Sequence, residues 1–132
     1  MFYNFDLTIP ANTPTSAQSS RECVLSYGRI EKVDILFPPG PCGLAGVAVD
    51  RFNTQILPSN PDSFFISDSE TVSSIDAVEI YDRPYVVVFR GYNLDDTYTH
   101  TITLRVSLNT ELETLRTENV SSLSRSLQSQ LI

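Results

Sequence analysis

His100 is the one histidine in this sequence, and Ser107 and Asp96 stand near enough along the chain to suggest a nucleophile, base and acid acting together. Such a set works only when the three groups converge in space beside an oxyanion site, and no G-x-S-x-G strand-to-helix elbow is present to offer a serine. His100 also falls on the apolar side of an alternating segment, where a packed or hydrogen-bonded imidazole is the expectation. Catalysis is not expected. Carboxylates gather at Asp62, Asp68 and Glu70 and again at Asp95 and Asp96, which raises a hard cation such as calcium. Neither group has EF-hand spacing, and aspartates in turns commonly bond their own backbone. Two cysteines and one histidine supply no C-x-x-C or H-x-x-x-H pair for zinc. No metal and no cofactor is expected.

The segment "FPPGPCGLAGVAVD", Phe37 to Asp50, has the glycines of a phosphate loop but neither GxGxxG nor GxxxxGK[ST], and it leads into a strand instead of a helix N-terminus. Pro38 and Pro39 lack amide donors and Gly40 and Gly43 tolerate positive φ. The reading is a rigid corner between two strands, with Cys42 packed as a small hydrophobe. Cys23 and Cys42 are expected as buried thiols in a reducing compartment, a disulfide between them being the other reading. Asn119 begins a formal N-V-S glycosylation sequon that carries little weight without a secretory leader, and MFYNFDLTIP lacks the basic and apolar regions of one.

The elements that would position these residues are mostly strands. Tyr3, Phe5, Leu7 and Ile9 alternate with Asn4, Asp6 and Thr8 up to Pro10. The polar stretch ANTPTSAQSS follows and reads as an exposed loop or arm. Apolar alternation resumes at Val24 and Leu25, at Val33, Ile35 and Phe37, and at Val47 and Val49, then over 55–57, 64–66, 72–80 and 85–89. Gly91, Asn93, Asp95 and Asp96 read as a hairpin connection into a last strand of Tyr98, His100, Ile102, Leu104 and Val106. About eight short strands broken by turn residues predict an antiparallel β-sandwich or jelly roll rather than a parallel α/β sheet.

At Asn109 the period changes. Thr110 with Glu113 fits a capping box, and Leu112, Leu115, Val120, Leu123, Leu127 and Leu131 recur at helical spacing, so an amphipathic C-terminal α-helix is expected. Its serines, Ser121 to Ser129, leave it marginal by propensity and in need of something to dock on. The organisation expected is an N-terminal strand and polar arm over 1–20, a β-sandwich over 21–108 and a helix over 109–132. The apolar stripe of that helix, with Phe2, Tyr3 and Phe5 at the other terminus, is the expected interaction surface.

A net charge of −7, with Lys32 the only lysine beside eight arginines, argues against nucleic acid as a partner. No run approaches the roughly 18 apolar residues of a membrane span. With 41% hydrophobic and 19% charged residues the chain is expected to fold as one domain.

Taken together, "VDILFPPGPCGLAGVAV", "ILPSNPDSFFISDSE" and "PYVVVFRGYNLDDTYTHTITLRV" resemble small virion proteins of tailed bacteriophages, the β-sandwich components that decorate or cement a capsid or join its parts. The likeness covers Val33 to Val106 and lies in the style of whole segments, with no catalytic or ligand motif to transfer. It implies a structural role in many symmetric copies, with a major capsid protein or a connector component as partner, in a virion assembled in the host cytoplasm. The other expectation is a carbohydrate-binding or host-surface-binding β-sandwich, with Tyr3, Tyr81, Tyr85, Tyr92 or Tyr98 as its platform.

Overall fold

The computed structural model describes residues 1–110, which form an all-β body of two antiparallel sheets. The strands are β1 (Phe2–Ile9), β2 (Ser19–Val24), β3 (Gly28–Phe37), β4 (Ala45–Arg51), β5 (Thr54–Leu57), β6 (Phe65–Ile66), β7 (Glu70–Ser74), β8 (Val78–Ile80), β9 (Val86–Asn93) and β10 (His100–Asn109). A 3-10 turn at Thr15–Ala17 leads into β2. The first sheet runs β1-β10-β3-β7, with β8 also on β3; the second runs β2-β9-β4-β5, with β6 also on β4. The expected C-terminal helix, with Leu112, Leu115, Val120, Leu123, Leu127 and Leu131, lies outside the described residues.

Period-2 patterning becomes one shared core. Leu7 and Ile9 of β1, Val33, Ile35 and Phe37 of β3, and Ile102, Leu104, Val106 and Leu108 of β10 point inward from the first sheet. Val47 and Val49 of β4 and Val87 and Phe89 of β9 meet them from the second. Burying a side chain of this kind stabilises by roughly 1.5 to 3 kcal/mol. The first strand is part of the sheet itself, paired with β10 from Phe2 opposite Ser107 to Ile9 opposite His100.

Strand β4 departs from simple alternation, because all of Ala45 to Val49 are buried. Its outward residues are small, and the Tyr92 ring lies over Gly46: a Cβ there would meet Tyr92 Cε1 at 2.6 Å. Phe64 packs edge-on against Tyr92 at 4.9 Å, so the segment between β5 and β6 covers this part of the second sheet.

Several local expectations change. Strand β9 continues through Gly91, Tyr92 and Asn93, where a hairpin connection was expected. Glycine is needed at 91 for close packing, because a Cβ would lie 2.7 Å from the Gly46 carbonyl and 2.8 Å from Ile9 Cδ1. The run over 72–80 is two strands, β7 and β8, interrupted at Ile75–Ala77 and both paired with β3. Ser19 and Ser20, read as arm, open β2, an edge strand whose polar residues face solvent.

Candidate functional site

The segment Pro38 to Leu44 is the expected corner: it carries the chain from β3 in the first sheet to β4 in the second. Its backbone is pinned by one carboxylate. Asp68 Oδ1 accepts hydrogen bonds from the amides of Gly40 at 2.8 Å and Cys42 at 3.2 Å, and Ser69 N–H donates to the Pro38 carbonyl. Gly40, Cys42 and Gly43 all have positive φ, and the turn brings the amides on either side of Pro41 to one acceptor. Cys42 is exposed, not packed; Cys23 is buried in β2, and both thiols are free. Burial pushes the Cys23 thiol up to about 11.

Three further loops crowd the same end of the sandwich: 10–18, 67–69 and 94–99. Asn93 joins two of them. Wholly buried, it donates from Nδ2 to the carbonyls of Ile9 and Tyr98 and accepts the Asp95 amide at Oδ1. Its backbone exchanges hydrogen bonds with Thr13, and Asn12 N–H donates to the Asp95 carbonyl. Asp95 accepts the amides of Thr97 and Tyr98 at Oδ1, and its Oδ2 lies 2.8 Å from His100 Nε2. The Thr97 amide first, then His100, hold the Asp95 carboxyl below the usual carboxylate range.

His100 is therefore a buried, hydrogen-bonded residue whose partner is Asp95. Neither companion considered from the sequence is in place. Asp96 is exposed and accepts the Thr97 hydroxyl, and Ser107 stands seven residues along the same strand, roughly 23 Å away at strand rise. Asp62, Asp68 and Glu70 do not converge, and among the described residues no three His, Cys, Asp or Glu side chains gather where they could hold a metal ion.

This end presents four large apolar side chains outward, among exposed polar residues that include Asn12, Thr15, Ser69, Thr97 and Thr99. Leu44, Ile66, Leu94 and Tyr98 are 41%, 49%, 54% and 67% exposed. They adjoin one another: Leu94 N–H donates to the Leu44 carbonyl, a Cβ on Gly43 would touch Ile66, and Leu94 and Tyr98 share the β9–β10 turn. Loops 10–18, 38–44, 67–69 and 94–99 contain Asp68, Asp95 and Asp96 and no lysine or arginine. A hydrogen-bonded loop frame results that exposes four apolar side chains, with Asp68 and Asp96 exposed beside them. The sequence had marked its parts only as turns, because aspartates and prolines announce a bend but not which bends meet.

The expected interaction residues of the N-terminus divide. Phe2 is 66% exposed on the outward side of β1. Tyr3 and Phe5 point inward, stacked at 5.9 Å and half-buried, with the Arg21 guanidinium 5.5 Å from the Phe5 ring centre and the Tyr3 hydroxyl 2.8 Å from Ser26 Oγ. Of the tyrosine platform, Tyr92 is buried and Tyr98 stands alone at the loop end. Tyr81 and Tyr85 gather around Tyr27 at the opposite end, 5.1 and 5.9 Å from it.

Two clefts lie on the outward faces of the sheets. One, about 500 Å³, is lined by Leu36, Pro38, Glu70, Thr71, Thr101 and Thr103, among others. The other, about 350 Å³, borders Arg90, whose guanidinium is taken up by Asp50 through two bonds and by Gln18 and Gln55. A guanidinium engaged in four hydrogen bonds ties β9 to β4, β5 and the residue before β2 rather than waiting for an anion. No family model matches the chain, and neither a curated protein nor a solved structure matches it.

Proposed function

We propose that this protein is a non-enzymatic structural component of a virion, a jelly roll that decorates or cements a capsid or joins its parts. Counting β5 with β6, and β7 with β8, as single interrupted strands leaves eight, in the orders β1-β10-β3-β7 and β2-β9-β4-β5. That is the arrangement of a double-sheet jelly roll, an architecture of viral capsid domains. The observation that carries the reading is the loop end, where four loops locked by Asp68, Asn93 and Asp95 expose Leu44, Leu94 and Tyr98 beside Ile66 of β6. Exposed apolar side chains grouped in this way serve protein contact. Asp68 and Asp96 beside them suit a shell or connector protein with a basic face.

The test is co-sedimentation with assembled particles. Wild-type protein should travel in the particle peak, and Leu94→Asp with Tyr98→Ala, still folded by circular dichroism, should remain at the top of the gradient. A wild-type protein that never enters the particle peak sinks the reading. Jelly rolls also serve as lectins, and the Tyr27, Tyr81 and Tyr85 cluster favours glycan binding as the second reading. A glycan array that returns a ligand lost in Tyr85→Ala would replace the first reading with the second.

A further inference from the structure

We infer that the end of the sandwich opposite the loop end is the docking site for residues 111–132 of the same chain. The strand that leads into that segment, β10, finishes at Asn109, and the chain passes directly over Gly28. A Cβ on Gly28 would stand 2.6 Å from the Asn109 carbonyl oxygen and 3.1 Å from Thr110 Cα, so the exit path lies against the β2–β3 turn.

The surface around that exit is apolar and open. Tyr27, next to Gly28, is 41% exposed, Val24 65% and Met1 53%. They are neighbours: Met1 Sδ lies 4.0 Å from Ser26 Oγ, Met1 exchanges backbone hydrogen bonds with Leu108, and Tyr27 stacks on Tyr81 and meets the edge of Tyr85. The segment that starts here carries the leucine stripe at helical spacing, and Glu111, Glu113, Arg116 and Glu118 fall in its first half. Arg83, over the Tyr85 ring at 5.9 Å, lies at the receiving end, where Arg29 on β3 pairs with Glu31 at 3.1 Å.

Length favours this end over the other. As the helix that its leucine spacing predicts, 22 residues would span about 33 Å, enough to cross a sandwich end but too short to return along the ten residues of β10 and still cover the loop end. This inference does not depend on the virion reading, and it assigns the leucine stripe to the domain's own surface in place of a neighbour.

The test uses the full chain with p-benzoylphenylalanine in place of Tyr27, irradiated as a mixture of nitrogen-14 and nitrogen-15 protein. Cross-links from position 27 to peptides of 111–132, all within one isotope, are expected, and they should be lost in Leu123→Asp with Leu127→Asp. Hybrid-isotope cross-links would assign the site to a second copy and overturn the inference, as would cross-links that never reach 111–132. Because the probe sits on an exposed ring in an otherwise unaltered chain, failure to fold is checked by circular dichroism of the same sample. A second probe in place of Val24 gives an independent reading of the same surface.

Discussion

His100 Nε2 and Asp95 Oδ2 lie 2.8 Å apart, both residues buried, at the point where the last hairpin meets the corner loop. A Cβ on Gly40 would stand 3.4 Å from the imidazole, so the pair also props the corner.

The pair predicts an acid-sensitive fold. The Asp95 carboxyl is held low chiefly by the Thr97 amide and then by His100. A carboxyl whose folded pKa lies below its unfolded value contributes stability that is complete above the unfolded pKa and is lost as pH falls through the folded one. The melting temperature should decline as pH drops from about 4 downward, and Asp95→Asn should lower it at neutral pH and flatten that decline. A decline of unchanged slope in the variant would trace the acid sensitivity to other carboxylates.

Arg51 gives a larger effect. Only 8% exposed, its guanidinium donates to the carbonyls of Asp82, Pro84 and Val86 and stacks 4.1 Å over Phe52. Hydrogen bonds to a charged donor contribute about 1.5 to 3 kcal/mol each, so Arg51→Ala should cost about 3 kcal/mol or more in urea unfolding. Arg51→Lys, which cannot span three carbonyls, should recover only part of it.

Two glycines should differ in tolerance. Gly91→Ala must push against the Gly46 carbonyl, which is backbone, whereas Gly46→Ala meets the ring of Tyr92. Overpacking costs about 1 to 3 kcal/mol; position 91 should fall at or above the top of that range and position 46 below it, in paired denaturation curves.

Thiol labelling separates the cysteines. Cys42 is exposed, while Cys23 is buried with its thiol pushed up to about 11. Native protein treated with iodoacetamide at neutral pH should gain one label, at position 42, and unfolded protein two. Two labels in the native state would mean that β2 opens readily.

Legibility followed the physics of one-sided burial. Strands β1 and β10 alternate cleanly because each has one wet face, and their pattern was plain in Tyr3 to Ile9 and His100 to Val106, although Tyr98, expected in the last strand, is exposed in the loop before it. Strand β4, covered on both faces, and the end of β9, where Gly91 and Asn93 look like turn residues, were obscured by that same rule. The loop end was hidden for another reason. Asp68 caps a loop 26 residues upstream and Asn93 reaches Ile9 across 84, and no local pattern encodes contacts that distant.

The pairing of Phe2 with Ser107 has a consequence for how the protein is made. Strand β1 leaves the ribosome long before its partner β10, with every other strand of the sandwich translated between them. At synthesis rates of about 5 to 20 residues per second, β1 waits roughly 5 to 20 seconds before β10 exists. Throughout that interval Tyr3, Phe5, Leu7 and Ile9 are an uncovered strand with a sticky face, the kind of segment holdase chaperones bind. Production in a cell should therefore depend on chaperone capacity more than the finished domain's stability suggests, and non-local closure of this sort makes refolding slow.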